Sequence, residues 1–296
     1  MKKHMRELQN SMNEIKTVAV TGSSGFVGKH LVKALLEENH NVIEIDIDKG
    51  YDLSNSEDIK RVPKYDVIVH LAGKSFVPLS FEIPYDFYYY NQLLMLNVLE
   101  LSRKDKAKVI FFSSYLYGEP EYLPIDEKHP LKPHNPYAQT KLICEKMCEG
   151  YSRDFDVPVI VFRPFNIYGP GQNDNFVIPS ILKQLNSGKV CLKDPRPKRD
   201  YIYISDVVNA CLCSLNYCEC PFEVFNLGSG SSHSVQDITK LIIELSGRNP
   251  IIEYSNIKRE GEINNLYSDN SKVFRLLNWR PVVDLREGIK IILKDK

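Results

Sequence analysis

Tyr137 and Lys141 open and close the stretch YAQTK. Four residues apart on a helix, they share one face, which sets a phenol beside an ammonium group. A free tyrosine has a pKa of about 10, too high for a base at neutral pH. A cation a few ångströms away favours the phenolate and lowers that value by roughly one to three pH units. The pair alone recurs by chance, and Ser113 and Ser114 give it weight. They follow the apolar run KVIFF, residues 108–112, so they place hydroxyls at the C-terminal edge of a sheet, where ligands bind in folds of alternating strands and helices. A serine hydroxyl there can hydrogen-bond both a substrate oxygen and the phenol. Together these residue types could take a proton from an alcohol while its carbon gives up a hydride.

A hydride needs an acceptor, and Thr17 to Glu38 (TVAVTGSSGFVGKHLVKALLEE) is suited to dock one. Thr17 to Val20 is a short β-branched run of the kind found in buried parallel strands. Gly22, Gly25 and Gly28 follow; Phe26, Val27, Leu31, Val32, Leu35 and Leu36 then recur at helical period. In a strand–turn–helix, the first glycine permits the tight turn and the second lets a pyrophosphate approach the backbone. The third lets helix and strand pack closely. The helix start adds unpaired N–H groups and partial positive charge. Asp46 stands 18 positions beyond Gly28, at the end of a second apolar run. An acid there can accept hydrogen bonds from adenosine ribose hydroxyls and would repel a 2′-phosphate. No arginine follows it, Lys49 being the nearest base, so NAD is preferred over NADP. Asp52 and Leu53 could flank the adenine, though a short polar turn explains them nearly as well.

These residues need strands and helices in alternation, and the pattern supplies them. Residues 41–47, 67–71, 108–112 and 157–162 read as further strands, and Pro84 to Arg103 and Pro136 to Asp154 as long helices, the second with proline at its start. All-apolar strands between helices argue for an α/β fold with a parallel sheet covered on both faces. Past Arg163 the texture changes. RPFNIYGPGQ clusters prolines and glycines, and helices at 176–187, 205–217, 234–246 and 285–293 mix with a strand at 222–227. This half is expected to be smaller and less regular, and to exchange segments with the first.

Composition narrows the function classes. The 296 residues carry 38 basic and 38 acidic side chains, so no global charge recommends nucleic acid or an anionic membrane as partner. No apolar run approaches the ~20 residues that span a bilayer, and the first residues lack the apolar core of a signal peptide. Residues 1–11, ahead of Met12, are expected to be a dispensable extension or to mark an alternative start, and no function is assigned to them. The seven cysteines have no zinc spacing and fit reduced thiols of a cytoplasmic protein. His70, His129, His134 and His233 show no metal-like spacing, and Phe87 to Tyr90 suits a packing or dimer surface.

TGSSGFVG, HLAG, SSYLYG, the Tyr137/Lys141 pair and RPFNIYGPGQ, in that order, resemble the extended short-chain dehydrogenase/reductase superfamily. More narrowly, they resemble its NAD-dependent epimerase/dehydratase family acting on nucleotide-sugars. The resemblance runs from about Lys16 to the C-terminus. It implies a doubly wound parallel Rossmann sheet that binds NAD over residues 12–165, with a smaller α/β C-terminal substrate domain over residues 166–296. By position, Gly22, Gly25, Phe26, Val27 and Gly28 match the family's cofactor loop, Asp46 its ribose acid, and Leu71, Ala72 and Gly73 the segment that passes the cofactor. Asn91 matches the asparagine that opens the following helix, although Leu94 and Met95 replace the usual small residues. Tyr137 and Lys141 match the catalytic pair. Counting back from Tyr117-Gly118 selects Ser113 as the catalytic serine and counting forward from the strand selects Ser114; the first is preferred. Asn166 matches the asparagine near the sugar-nucleotide phosphates. KRDYIYISDV (residues 198–207) resembles the family's R-D signature, with Arg199 on the diphosphate. Arg259-Glu-Gly-Glu262 resembles its R-x-G-[DE] element, with Arg259 on the diphosphate and Glu262 on the nucleotide ribose.

The reaction implied is oxidation at a sugar C4 with Tyr137 as base. Return of the hydride to the other face makes a 4-epimerase, with a UDP-sugar favoured. Loss of water across C5–C6 makes a 4,6-dehydratase, but the Asp-Glu pair such enzymes carry after the catalytic hydroxyl is here Ser114-Tyr115 or Tyr115-Leu116. A 4-keto reductase keeps the same residues and is the alternative; a non-catalytic NAD-binding relative would be expected to have lost Tyr137 or Lys141. A homodimer through the two long helices is the family expectation.

Overall fold

Val18, Ala19 and Val20 are fully buried inside a six-stranded sheet, as a continuous apolar run requires when helices cover both faces. In this computed structural model residues 14–257 and 262–295 are described. They form two compact units, one made of residues up to 114, 135–163 and 208–225, the other of 115–134, 164–207 and 226 onward.

The strands are β1 (Thr17–Thr21), β2 (Asn41–Ile45), β3 (Val67–His70), β4 (Lys108–Phe112), β5 (Val159–Pro164), β6 (Asn166–Tyr168), β7 (Lys189–Leu192), β8 (Lys198–Tyr203), β9 (Phe222–Leu227), β10 (Ser232–Ser234) and β11 (Ile251–Tyr254). The helices are α1 (Phe26–Glu37), α2 (Ser56–Arg61), α3 (Val77–Glu82), α4 (Pro84–Asp105), α5 (Pro136–Phe155), α6 (Val177–Gln184), α7 (Ile204–Ser214), α8 (Val235–Ser246), α9 (Ser271–Leu277) and α10 (Leu285–Lys294).

In the first unit the sheet order is β2-β1-β3-β4-β5-β9, and β2 through β5 pair in parallel register. This is the doubly wound parallel arrangement the sequence predicts. Strand order reverses at β1, so the crevice where ligands bind in such sheets lies beyond the C-terminal ends of β1 and β3. The 22-residue α4 buries Phe87, Asn91, Met95, Val98 and Ser102, a stripe at helical spacing, and it packs on α5. Cys148 Sγ lies 3.6 Å from Met95 Sδ, and Asn91 Nδ2 donates to Thr140 Oγ1 at 2.9 Å. Asn91 therefore does not open its helix. Pro84 begins it, following directly on α3, and Asn91 sits about two turns inside. Asn135 caps α5, its Oδ1 accepting the Ala138 N–H at 2.8 Å, with Pro136 at the first helical position.

In the second unit β10, β8 and β6 form a small mixed sheet, and β7 pairs in parallel with β11. Asp206, at the start of α7, is almost fully buried. It accepts the Val283 N–H through Oδ2, while its main-chain carbonyl accepts Trp279 Nε1–H, both at 3.0 Å. Ser234 and Asp237 make a reciprocal capping box at the start of α8. Among the described residues no helix is long and apolar enough to cross a membrane.

Candidate active site

The glycine loop is fixed by steric contacts that only glycine tolerates. Gly22 has φ +68°, and a Cβ there would lie 2.8 Å from the Ala72 amide nitrogen. A Cβ on Gly28 would fall 2.1 Å from the Gly22 carbonyl oxygen, so α1 presses directly onto the loop. Gly25 occupies the N-cap of α1 and no side chain caps it. The first helical residues, Phe26 and Val27, therefore offer main-chain N–H groups without a side-chain acceptor, a ready anion site. Strand–turn–helix, close backbone approach and an uncapped helix start together fit the pyrophosphate of a dinucleotide.

Asp46 stands at the end of β2 and is tied into this loop. Its Oδ2 accepts the Ser24 N–H at 3.0 Å and its Oδ1 the Asp48 N–H at 3.1 Å. A carboxylate has about four lone-pair positions, so capacity remains for ribose hydroxyls. Asp52 accepts the Ser54 N–H and hydroxyl at 2.8 and 2.7 Å. Leu53 is buried and its carbonyl accepts Asn97 Nδ2 at 2.7 Å; both belong to a tightly bonded turn.

A bracket that the sequence did not reveal holds the loop after β3. Thr21 Oγ1 accepts the N–H groups of Leu71 and Ala72, each at 3.1 Å, and lies 2.8 Å from His70 Nδ1. With both lone pairs used, the hydroxyl must donate to Nδ1, which makes His70 the neutral tautomer protonated on Nε2. Burial, reinforced by the Lys141 charge, pushes the His70 pKa down to about 3. Asn91 closes the same loop: its Oδ1 accepts the Lys74 N–H at 2.9 Å, and a Cβ on Gly73 (φ +143°) would meet that oxygen at 2.8 Å.

Ser113, Ser114, Tyr137 and Lys141 all belong to the first unit. The Ser113 N–H donates to the Phe162 carbonyl at 2.8 Å. Both serines are buried, and neither Oγ has a hydrogen-bond partner among the described residues. Lys141, 6% exposed, donates through Nζ to the Phe112 carbonyl at 2.9 Å and lies 4.8 Å from the Phe111 ring centroid and 5.9 Å from that of Tyr137. Burial lowers its pKa. The protein's own groups do not make Tyr137 acidic, contrary to the expectation from the i,i+4 pair. Burial pushes the phenol up to about 12, and the Ser114 hydroxyl opposes that rise. Lys141 is turned to a main-chain carbonyl, and desolvation is the largest influence on the phenol. Ser114 is the serine whose hydroxyl opposes the rise at Tyr137, although the two groups do not reach ordinary hydrogen-bond geometry. A bidentate ion pair fixes α5 to β5: Arg163 Nε meets Glu145 Oε1 at 3.0 Å and Nη2 meets Oε2 at 2.6 Å, both side chains buried.

The second unit carries the remaining predicted residues. Arg199, on β8, donates from Nη1 to the carbonyls of Lys198 (2.9 Å) and Ile263 (2.6 Å), and its Nη2 pairs with Glu262 Oε1. Asn166 donates to the Asp200 carbonyl at 3.0 Å. The fully buried Asp200 carboxylate accepts from Ser229 N–H and Oγ, Gly230 N–H, and Ser268 N–H and Oγ, which ties the strand bearing Arg199 to two loops. Arg259 lies outside the described residues, as do residues 1–11. No group of three or more potential metal ligands occurs among the described residues.

Comparison with known proteins agrees with this geometry. The sequence model of the NAD dependent epimerase/dehydratase family matches residues 18–228. A GDP-6-deoxy-D-mannose reductase of Pseudomonas aeruginosa is 30% identical over 93% of this chain and 95% of its own. Among solved structures, a UDP-glucose 4-epimerase of Thermotoga maritima with UDP-glucose is 28% identical (TM-score 0.86; 94% of this chain, 97% of that one). A Thermus thermophilus UDP-glucose 4-epimerase in complex with NAD is 27% identical (TM-score 0.84; 94% and 98%). Other relatives of similar identity include 4-epimerases and dTDP-D-glucose 4,6-dehydratases. A doubly wound sheet, an uncapped glycine-loop helix and a Ser–Tyr–Lys cluster at its strand ends go with a family match across most of the chain: this protein belongs to the NAD-dependent epimerase/dehydratase family.

Proposed function

We propose that the protein is a nucleotide-sugar 4-epimerase, with a UDP-hexose as the favoured substrate and NAD retained in the glycine-loop site. The observation that carries the reading is the Ser114–Tyr137–Lys141 cluster followed by apolar positions in place of acids. Leu116 is fully buried, and the Tyr115 hydroxyl donates to the Gly118 carbonyl at 2.6 Å. Elimination of water across C5–C6 calls for an acid–base pair at that place, so this disfavours a 4,6-dehydratase. Bound NAD supplies a hydride acceptor and donor at C4, and its positive ring adds to the field that favours phenolate.

Tyr137 takes the C4 hydroxyl proton as the carbonyl forms and returns it as the carbonyl is reduced. Ser114 donates to the C4 oxygen, and its otherwise unpartnered hydroxyl is available for that bond. Lys141 holds the cofactor ribose and supplies positive charge beneath the phenol. Gly22, Gly25, Phe26, Val27 and Gly28 seat the pyrophosphate, Asp46 the adenosine ribose; the segment from Leu71 to Gly73 passes the cofactor, and Asp52 and Leu53 flank the adenine. In the second unit, Asn166 and Arg199 hold the substrate diphosphate, with Arg259 from the R-x-G-E segment. Seven free thiols fit a reducing compartment, the cytoplasm. Exposed Tyr85, Tyr88, Tyr89 and Tyr90 on α4 support a homodimer through the long helices.

A panel of UDP-, dTDP-, GDP- and CDP-sugars tests the reading. An epimeric product without net NADH change is expected, and Tyr137→Phe should keep NAD while losing turnover by about 10³-fold or more. Stoichiometric NAD(P)H consumption would instead assign the 4-keto reductase; the Pseudomonas relative, too, is named a reductase.

A further inference from the structure

Glu262 is matched by sequence to the nucleotide ribose, but its carboxylate is directed at Arg199. A guanidinium has five N–H donors in a fixed plane. On Arg199 both Nη1 hydrogens are used by the carbonyls of Lys198 and Ile263, and one Nη2 hydrogen by Glu262 Oε1. Among the described residues nothing takes the Nε–H or the second Nη2–H, and Nε and Nη2 are the two atoms of the side-on fork that grips phosphate oxygens. The pair is mostly shielded, with side-chain exposures of 17% for Arg199 and 23% for Glu262, so the contact is less screened than one at the surface. One of its three acceptors is the carbonyl of the preceding residue and two come from a segment more than sixty residues away, which fixes the plane of the guanidinium as well as its position.

The geometry points to Glu262 as the positioning residue for Arg199: it holds the guanidinium so that the Nε/Nη2 edge is preset for the diphosphate of the substrate. The assignment rests on Arg199 being the diphosphate ligand of the proposed function. Glutamate, one methylene longer than the aspartate common at this place in the R-x-G-[DE] element, has the reach to span to β8. Glu262 then sets diphosphate affinity through Arg199, without itself reading the nucleotide.

A double-mutant cycle on the NAD-loaded full chain separates the two roles. UDP affinity is measured by titration calorimetry for the wild type, Glu262→Gln, Arg199→Ala and the double variant, with thermal melting to confirm folding. Glu262→Gln is expected to weaken UDP about tenfold, and in the Arg199→Ala background the same change should cost less than about twofold. KM for the UDP-sugar should rise by the same factor while kcat moves less than about threefold. Glu262→Asp, which keeps the charge, should recover part of the loss. An equal cost in both backgrounds would show that Glu262 touches the ligand itself and would overturn the assignment, as would Glu262→Gln binding UDP like the wild type. The same four proteins titrated with inorganic pyrophosphate distinguish the two levels. Wild type that binds pyrophosphate, with the cycle intact, but binds no UDP would sink the nucleotide-sugar reading and leave the Glu262–Arg199 coupling standing. Wild type that binds neither overturns both.

Discussion

Tyr137 should be a weaker acid than ordinary tyrosine in the protein stripped of nucleotide. The structure raises its pKa from 10 to about 12 through burial, with Ser114 opposing. Two pH units correspond to about 3 kcal/mol against the phenolate. At pH 8 the phenolate fraction would be about one in ten thousand, against about one in a hundred for a free tyrosine. A base poised near neutrality must therefore gain its acidity when the positive ring and the substrate oxygen join the cluster. The assay is the ultraviolet titration of tyrosinate, taken as the difference between wild type and Tyr137→Phe so that one of the 17 tyrosines is isolated. The inflection is expected at about 12 for stripped protein and at least two pH units lower with NAD bound. Ser114→Ala should move it further up, because the hydroxyl favours the charged form. The linkage sign can be checked independently. The folded pKa lies above the unfolded one, so the stabilisation is complete below pH 10 and is lost as pH rises towards 12. An inflection at or below 10 in stripped protein, or one indifferent to NAD, would refute the reasoning.

Ser114→Ala should cost about 10²-fold or more in kcat and Ser113→Ala about tenfold or less, measured as kcat with each purified variant on the best sugar nucleotide. Gly28→Ala places a Cβ 2.1 Å from the Gly22 carbonyl oxygen; a loss of about 1–3 kcal/mol and of retained NAD is expected, read from melting and from nucleotide released on denaturation. Glu145→Gln takes the counter-charge from the buried Arg163 guanidinium and should cost about 3–5 kcal/mol in urea unfolding, whereas replacing both residues with apolar ones should cost far less. His70 is held neutral with its pKa down at about 3, so its contribution is present above pH 6.5 and is lost as pH falls towards 3. Urea midpoints against pH should show that slope in the wild type and a shallower one in His70→Gln.

The parts of the site legible in the sequence are those set by local chemistry. Gly22, Gly25 and Gly28 are readable because the turn, the close approach and the helix packing all act within a dozen residues. Tyr137 and Lys141 are readable because one helical turn separates them. The start of α4 was readable because proline suits the first helical position, and Asn91 accordingly lies about two turns inside that helix and not at its opening. The choice between Ser113 and Ser114 was not legible because a loop one residue short can be aligned from either end, and both hydroxyls stand buried at the end of β4. The Asp200 hub, the Thr21 bracket and the Arg199–Glu262 pair join residues 29 to 68 positions apart, and no spacing rule reaches that far. The burial of the phenol was not legible because spacing reports the partner and not the desolvation.

These long-range contacts share a physical purpose. Ser23, Ser113 and Ser114 carry buried hydroxyls without partners among the described residues, and all three stand at the ends of β1 and β4. A buried polar group left unsatisfied costs about 1–3 kcal/mol, so three at one edge of a sheet would tend to loosen it. Thr21, Asn91 and the Glu145–Arg163 pair work against that. Each joins a strand-end segment or α5 to its neighbours through several hydrogen bonds, holding the polar edge in place. Rigidity is concentrated beside the groups that lack partners, and a ligand that supplies those partners gains their desolvation cost as binding energy. The stability of the first unit should therefore rise with nucleotide concentration as RT ln(1 + [L]/Kd). Ser113→Ala, which removes an unsatisfied hydroxyl, should raise the melting temperature of stripped protein and shrink the further gain on adding NAD. A variant that melts lower than wild type when stripped would show that the hydroxyl already has its partner within the fold.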